Sequence, residues 1–302
     1  MTPELAQSAQ EPVRKMELDA AVLNFLGLAT IYTTLLPIDA FVDLASESGY
    51  QGLEYHPLKW IPGISINHGK ISEPDKIRSV HEGFRGQKTI LDALKHPNKA
   101  LAIQAYMMLP YGPTSVEELN KLQEIVGRKL DIVLYPKDSS SEEAQLGRHT
   151  DFGENTYQPT RDVMKMWGVK TIDEMLRKGE SLGYTGITYD TAHSRTLSPW
   201  QEHLPDLLGR GIVKEIHLSA GRIDMGYDDT IAELSDLLFG TRHTELLQML
   251  QTIKDSGWQG RVVTEIPISA IKVLKKRGPI ITPKQMMDDH RRIVDNASAI
   301  LF

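Results

Sequence analysis

Residues 183–218, GYTGITYDTAHSRTLSPWQEHLPDLLGRGIVKEIHL, contain two short apolar runs with an amphipathic segment between them. The runs at 186–190 and 212–218 are rich in β-branched residues, which favours buried strands. The segment at 201–208 carries its apolar residues at helical spacing. Because a strand, a helix and a second strand in this order form a parallel pair, the stretch predicts an α/β fold.

The same alternation continues in both directions from this stretch. Further strands are predicted at 22–31, 52–56, 100–107, 131–135 and 261–266, and further helices at 37–48, 76–96, 115–126, 171–182, 244–256 and 283–301. Seven or eight strands in a chain of 302 residues predict a single-domain (β/α)8 TIM barrel. Residues 1–17 are polar and lack an apolar signal core, so we expect a flexible tail before a barrel over 18–302.

The middle of the chain has two readings. If 63–68 is a strand, the fifth strand ends at Tyr135; if it is not, the fifth strand is 152–156. The choice decides whether Tyr135 or Glu154 occupies the end of that strand, and periodicity does not distinguish the two.

Net charge and composition limit the ligands and partners that the protein is expected to bind. A formal charge of −6 gives no overall attraction for polyanions, so tight binding to nucleic acid is not expected. The chain has no cysteine, so a metal ion would be held by His, Asp and Glu. No apolar run approaches the roughly 20 residues that cross a bilayer, and a cytoplasmic location is expected by default.

Ionisable residues stand near the carboxyl ends of the last three predicted strands. They are Asp190, His217 and Glu265, and this end of the strands is where barrel enzymes place their active sites. Carboxylates with neutral imidazoles suit Mn²⁺, Co²⁺, Zn²⁺ or Fe²⁺ better than Ca²⁺. The pattern therefore predicts a site for one divalent ion.

Other residues could act beside that ion. In the D-x-x-H step, His193 can converge with Asp190 on the ion or on a substrate. Glu154 and Glu265 would form the pair of carboxyl groups that proton transfer next to a carbonyl needs, while the metal polarises the substrate oxygens. Glu54 and His56 share one face of a strand and could reach the substrate.

These motifs resemble those of the xylose isomerase-like TIM barrels, also called the AP endonuclease 2 type. That family includes sugar-phosphate isomerases and epimerases and endonuclease IV. The resemblance covers nearly the whole chain and is sharpest after about residue 183. It is carried by GYQGLE at 49–54, GITYDTAH at 186–193, EIHLS at 215–219 and VVTEI at 262–266.

The resemblance implies roles for individual residues. In such enzymes the Asp of the D-x-x-H step, the His of the next strand and the final Glu bind a divalent ion, here Mn, Co, Mg, Zn or Fe. These residues are Asp190, His217 and Glu265. A Glu-Asn pair at the end of the fifth strand supplies the fourth ligand, and Glu154 has the matching letters.

The resemblance also implies contacts to substrate. His193 would touch substrate or a second metal, and Arg222, which follows the H-L-x segment, would bind a sugar hydroxyl or a phosphate. Endonuclease-type members carry extra histidines on the third and fourth strands. His68 could serve as the first, but 105–108 offers none for the second, so a three-zinc nuclease site is incomplete.

The sequence thus predicts a divalent-metal-dependent isomerase or epimerase that acts on a small sugar or hydroxy-carbonyl substrate. The alternatives are an endonuclease IV-like phosphodiesterase, a metal-dependent dehydratase, an iron oxygenase of the same fold, and a non-catalytic metabolite-binding barrel. Barrels of this family often pair through their outer helices, so a homo-oligomer is an expected assembly.

Overall fold

The computed structural model of the chain describes residues 16–21, 38–55, 76–81, 105–107, 124, 131–134, 167–191, 200–218, 244–264 and 283–302. Within these ranges, eight parallel strands follow one another in chain order and close into a barrel. They are β1 Glu17–Ala21, β2 Gly52–Tyr55, β3 Ile77–His81, β4 Ala105–Met107, β5 Asp131–Leu134, β6 Gly186–Asp190, β7 Val213–Leu218 and β8 Arg261–Thr264. The predicted (β/α)8 TIM barrel is confirmed.

The longer helices of the described ranges agree with the predicted ones. They are α1 Ile38–Glu47, α2 Ile172–Ser181, α3 Trp200–Gly209, α4 Thr244–Asp255 and α5 Pro283–Leu301. In α4 the buried residues recur at helical spacing, so one apolar stripe faces inward. In the described part of the chain, no helix is long and apolar enough to cross a membrane.

The ends of α2 show how local sequence sets the boundaries. The Thr171 hydroxyl accepts a hydrogen bond from the Glu174 backbone N–H at 3.2 Å, which caps the first turn. At the other end, Gly183 adopts a φ of 92°, a left-handed conformation that glycine takes without strain. The chain then turns directly into β6, the first strand of the predicted site.

The prediction of a helix over 76–96 is wrong at its start. Ile77–His81 is the third strand and pairs in parallel with β2 and β4. Within it the Ser79 hydroxyl donates a hydrogen bond to Glu54 in the barrel interior, at 3.2 Å. Pairing on both sides satisfies the strand's backbone groups, and this tertiary context overrides the local helical spacing.

The first strand begins earlier than predicted. β1 starts at Glu17, which falls within the predicted tail, and the Glu17 backbone N–H donates to the Gly260 carbonyl at 2.8 Å. The buried Asp19 interrupts the apolar pattern that indicates a strand, which explains the shift. The predicted strand at 22–31 lies outside the described residues.

The two readings of the middle of the chain are resolved by strand order. β3 is Ile77–His81 and β5 is Asp131–Leu134, so Tyr135 follows the fifth strand. The segments 63–68 and 152–156 lie outside the described residues.

Candidate functional site

The described interior of the barrel is polar. Side chains that face inward by strand alternation and register include Asp19, Glu54, Ser79, Thr188, Asp190, Glu215, His217 and Arg261, each at most 5% exposed. Barrels of this kind usually fill their interior with branched apolar residues. Buried charges cost free energy unless they are paired, so this composition indicates a role other than packing.

His217 is the centre of this interior. Its Nε2 lies 3.0 Å from Glu54 Oε2 and 3.5 Å from Glu215 Oε1. Because β2 and β7 are not neighbours in the sheet, the contact with Glu54 crosses the barrel. Glu54, Glu215 and His217, called here the inner group, each offer one ligand atom within 4.8 Å of the others.

Neighbouring side chains hold the carboxylates of the inner group. Arg261 donates from Nε at 3.2 Å to Glu215 Oε2, and its Nη2 lies 3.1 Å from the same oxygen. Ser79 donates to Glu54 Oε2. Each contact restrains a carboxylate. Because both Arg261 contacts go to Oε2 of Glu215, its Oε1 keeps its capacity to accept a further partner.

Two buried side-chain oxygens on β6 and β7 have no hydrogen-bond partner within the described ranges. They are Glu215 Oε1 and Thr188 Oγ1, which belong to residues paired in register on β7 and β6. Glu215 Oε1 and His217 Nε2 are 3.5 Å apart and do not have the geometry of a hydrogen bond. Buried polar atoms are nearly always satisfied, so this pair points to a missing partner.

Asp190 and His217 are register partners near the carboxyl ends of adjacent strands. Asp190 is almost completely buried, and the backbone N–H of Thr191 donates to the His217 carbonyl at 2.9 Å. The structure therefore brings two predicted metal ligands side by side. Among the residues that the structure describes, Asp190 is not a member of the inner group.

Asp19 lies in the same interior and is completely buried. Burial raises its pKa to about 7, against the opposing charges of Arg78 and Arg261. Arg78 Nη1 is 3.9 Å from Asp19 Oδ1 and forms an ion pair with Glu17. A Cβ at Gly52 would come within 2.8 Å of both Asp19 and Arg78, so this approach requires glycine.

Two histidines on the outer helices form hydrogen bonds with tyrosine hydroxyls outside the barrel interior. The Tyr189 hydroxyl lies 3.1 Å from His203 Nε2 on α3, and burial lowers the pKa of His203 to about 4. The Tyr50 hydroxyl lies 3.1 Å from His290 Nδ1 on α5 and accepts a hydrogen bond from Thr264. Both contacts are on the outer face of the sheet, away from the inner group.

Six predicted site residues lie outside the described residues, and their roles stay predictions: Glu154, Glu265, His193, Arg222, His56 and His68. The prediction that Glu54 contacts substrate stays a prediction, and the structure adds that its Oε2 lies 3.0 Å from His217 Nε2. Sequence reasoning did not assign Glu215, although the spacing E-x-H puts residues 215 and 217 on one strand face.

Solved structures with a similar fold share little sequence identity with this chain but match it over nearly its whole length. A xylose isomerase domain containing protein from Salmonella typhimurium LT2 is 12% identical, with 96% of this chain and 100% of that chain covered and a TM-score of 0.58. An L-ribulose 3-epimerase is 9% identical over 95% and 94% of the two chains, with a TM-score of 0.48. A xylose isomerase domain protein from Planctomyces limnophilus is 12% identical over 95% and 96%, with a TM-score of 0.43.

Sequence comparisons gave no further relative. No protein-family model matches the chain. No curated protein matches it either. The shared fold is therefore what the comparisons establish, and the chemistry has to be argued from the residues of this chain.

Proposed function

We propose that this chain, whose fold is that of the xylose isomerase domain containing protein, is a divalent-metal-dependent isomerase or epimerase. Its substrate would be a small sugar or another hydroxy-carbonyl compound. The observation that carries the proposal is the complete or nearly complete burial of an imidazole and three carboxylates, His217 with Glu54, Asp190 and Glu215, inside the barrel. A cation is the simplest partner that would compensate such a set.

The residues present fit a divalent ion. Carboxylate oxygens and an imidazole nitrogen are donors for Mn²⁺, Co²⁺, Zn²⁺ and Fe²⁺, and Mg²⁺ also accepts carboxylates. Glu215 Oε1 is a buried acceptor without a hydrogen-bond partner in the described part of the chain. By the family resemblance, Asp190, His217 and Glu265 would hold the ion. Glu154 does not end the fifth strand, where the resemblance expects the fourth ligand, but lies in the sequence between β5 and α2, and we propose that it supplies the fourth ligand from there. The ion, when bound, would polarise the oxygens of the substrate.

Residues of the chain would then move the proton and orient the substrate. We propose that Glu154 and Glu265 exchange the proton on the carbon next to the carbonyl, one removing it and the other returning it. His193 and Arg222 would orient the substrate, and His56 and His68 would contact it near the mouth. A small-molecule substrate, a homo-oligomer and a cytoplasmic location remain predictions.

Solvent exchange tests this function without knowledge of the product. The protein is incubated in D₂O with a panel of ketoses, aldoses and their phosphates, and ¹H NMR follows loss of the signal next to the carbonyl. We expect exchange with at least one member, lost after chelation and restored by Mn²⁺ or Co²⁺. His217→Ala should abolish exchange, because His217 is a predicted ligand of the ion, while Glu202→Ala, an exposed change on α3, should not.

The exchange assay, together with a count of the metal ions bound per chain, separates the alternative functions. Two or three ions per chain would favour a nuclease or a di-iron enzyme over an isomerase. Metal-dependent exchange absent from the whole panel would contradict the isomerase proposal while leaving a metal site in place.

A second candidate, a non-catalytic metabolite-binding barrel, is favoured by one observation. Tyr135 follows β5, so a tyrosine stands where the family's fifth-strand Glu-Asn pair is expected. This barrel would bind a sugar by calorimetry and catalyse no exchange in D₂O. An isomerase would show both binding and exchange.

A further inference from the structure

We infer that the divalent ion is bound by the inner group, Glu54, Glu215 and His217 Nε2, and not by the set that the family resemblance implies. The inference rests on the proposed function only in assuming that the barrel binds a divalent ion. It differs in the residues: Glu54 and Glu215 replace Asp190 and Glu265 as ligands, and His217 is common to both sets.

The two distances from His217 Nε2 to carboxylate oxygens of the inner group are close to those between ligands of one ion. Ions of this class bind oxygen and nitrogen at about 2.1 Å, so neighbouring ligands are about 3.0 to 3.4 Å apart in octahedral or tetrahedral geometry. His217 Nε2 is 3.0 Å from Glu54 Oε2 and 3.5 Å from Glu215 Oε1. These two distances, with all three ligand atoms within 4.8 Å of one another, are compatible with one ion bound by all three atoms.

Hydrogen bonding alone does not account for the arrangement. A neutral imidazole nitrogen has at most one proton to donate, and Glu54 Oε2 is placed to accept it. Glu215 Oε1 is then left buried without a hydrogen-bond partner among the described residues, as is Thr188 Oγ1 on the adjacent strand. A cation bound by Glu215 Oε1 would satisfy that oxygen, and Thr188, in register with Glu215 on β6, offers a second buried acceptor at the same level of the barrel.

The neighbours of the inner group favour a cation and direct one oxygen towards it. Both Arg261 contacts go to Glu215 Oε2, which leaves Oε1 on the side of His217. Two buried carboxylates face one guanidinium in this cluster, so its net charge is negative. A divalent cation reverses that sign, and Asp190, buried on the neighbouring strand, adds a balancing negative charge.

Ion binding by matched variants tests the ligand set. Binding of Mn²⁺ to the full chain is measured by electron paramagnetic resonance of the free ion, for wild type, Glu215→Gln, Asp190→Asn and the exposed control Glu202→Gln. Loss of a direct ligand should weaken binding at least about 100-fold, beyond the effect usual for an outer residue. We expect this loss for Glu215→Gln, a smaller loss of about tenfold for Asp190→Asn, at the lower end for a residue outside the ligand set, and none for the control.

The possible results have distinct meanings. If Asp190→Asn abolishes Mn²⁺ binding and Glu215→Gln preserves it, the inner site is wrong and the proposed function stands. If wild type binds no ion, the proposed function fails and the inference fails with it. If the ion is excluded and ¹⁵N NMR shows His217 as an imidazolium between the two carboxylates, a proton occupies the position and the inference is overturned.

A crystallographic measurement covers the case in which Glu215→Gln does not fold. Wild-type crystals soaked in Co²⁺ are measured at the cobalt edge. An anomalous peak about 2.1 Å from His217 Nε2, between Glu54 and Glu215, supports the inner site. A peak bound to Asp190 and not to Glu215 overturns it.

Discussion

Replacing Asp19 by asparagine should make the protein more stable at alkaline pH and leave it nearly unchanged at acid pH. Asp19 is completely buried, and its pKa rises from 3.8 to about 7 because burial disfavours the charged form. The folded state therefore binds a proton that the unfolded state releases. Stability falls as pH rises from about 4 to about 7, and the loss is complete above that range.

The size of the effect follows from the shift. About three pKa units at about 1.4 kcal/mol each give a loss of about 4 kcal/mol in the free energy of unfolding at pH 8. The introduced amide would have the shape of the protonated carboxyl without its titration. We expect Asp19→Asn and wild type to agree at pH 4 and to differ by about 4 kcal/mol at pH 8.

Urea unfolding at pH 4, 6 and 8 measures this difference, with Asp295→Asn, an exposed change on α5, as the control. The control should show no comparable dependence on pH. A difference for Asp19→Asn that is constant across the three pH values, or a variant less stable than wild type at pH 8, would show that burial of the charged form is not the cause.

Three further changes test other contacts. His203→Gln should remove a loss of stability in acid. Burial lowers the pKa of His203 to about 4, so the free energy of unfolding of wild type falls by up to about 3 kcal/mol between about pH 6.5 and pH 4. Melting temperatures measured against pH should show this fall in wild type and not in the variant. Arg261→Met should cost about 3 to 5 kcal/mol in urea unfolding, because Glu215 loses its buried counter-charge; a cost below about 1 kcal/mol would contradict this role. Gly52→Ala should cost about 1 to 3 kcal/mol, because its Cβ would meet Arg78 and Asp19 at 2.8 Å; unchanged thermal stability would argue against this contact.

Predictions from sequence were most accurate where local signals and tertiary packing agreed. The strands predicted at 186–190 and 212–218 consist mostly of buried residues and are preceded by the turn glycines Gly183 and Gly211, and the structure gives Gly186–Asp190 and Val213–Leu218. β1 and β3 were misplaced because Asp19 and Ser79 put polar groups inside the barrel. Their interior partners come from other strands, which local periodicity does not reveal.

The candidate site could be predicted in part for the same reason. His217 and Asp190 stand at the ends of apolar strands, so the general position of barrel active sites was enough to select them. The contact between Glu54 and His217 joins residues 163 positions apart in the sequence across a closed barrel. No local pattern encodes that contact, and the role of Glu215 depends on it.

Binding of a divalent ion in the barrel interior through His217 is the step on which the proposed chemistry depends, and metal analysis tests it. Wild type and His217→Ala are purified from metal-replete medium, and elemental mass spectrometry counts the ions per chain. His217 belongs to both ligand sets, so the expected result does not depend on which is correct. We expect about one ion per chain in wild type and a large loss in the folded variant. Wild type without metal, or a variant that retains it in full, would show that His217 does not bind an ion.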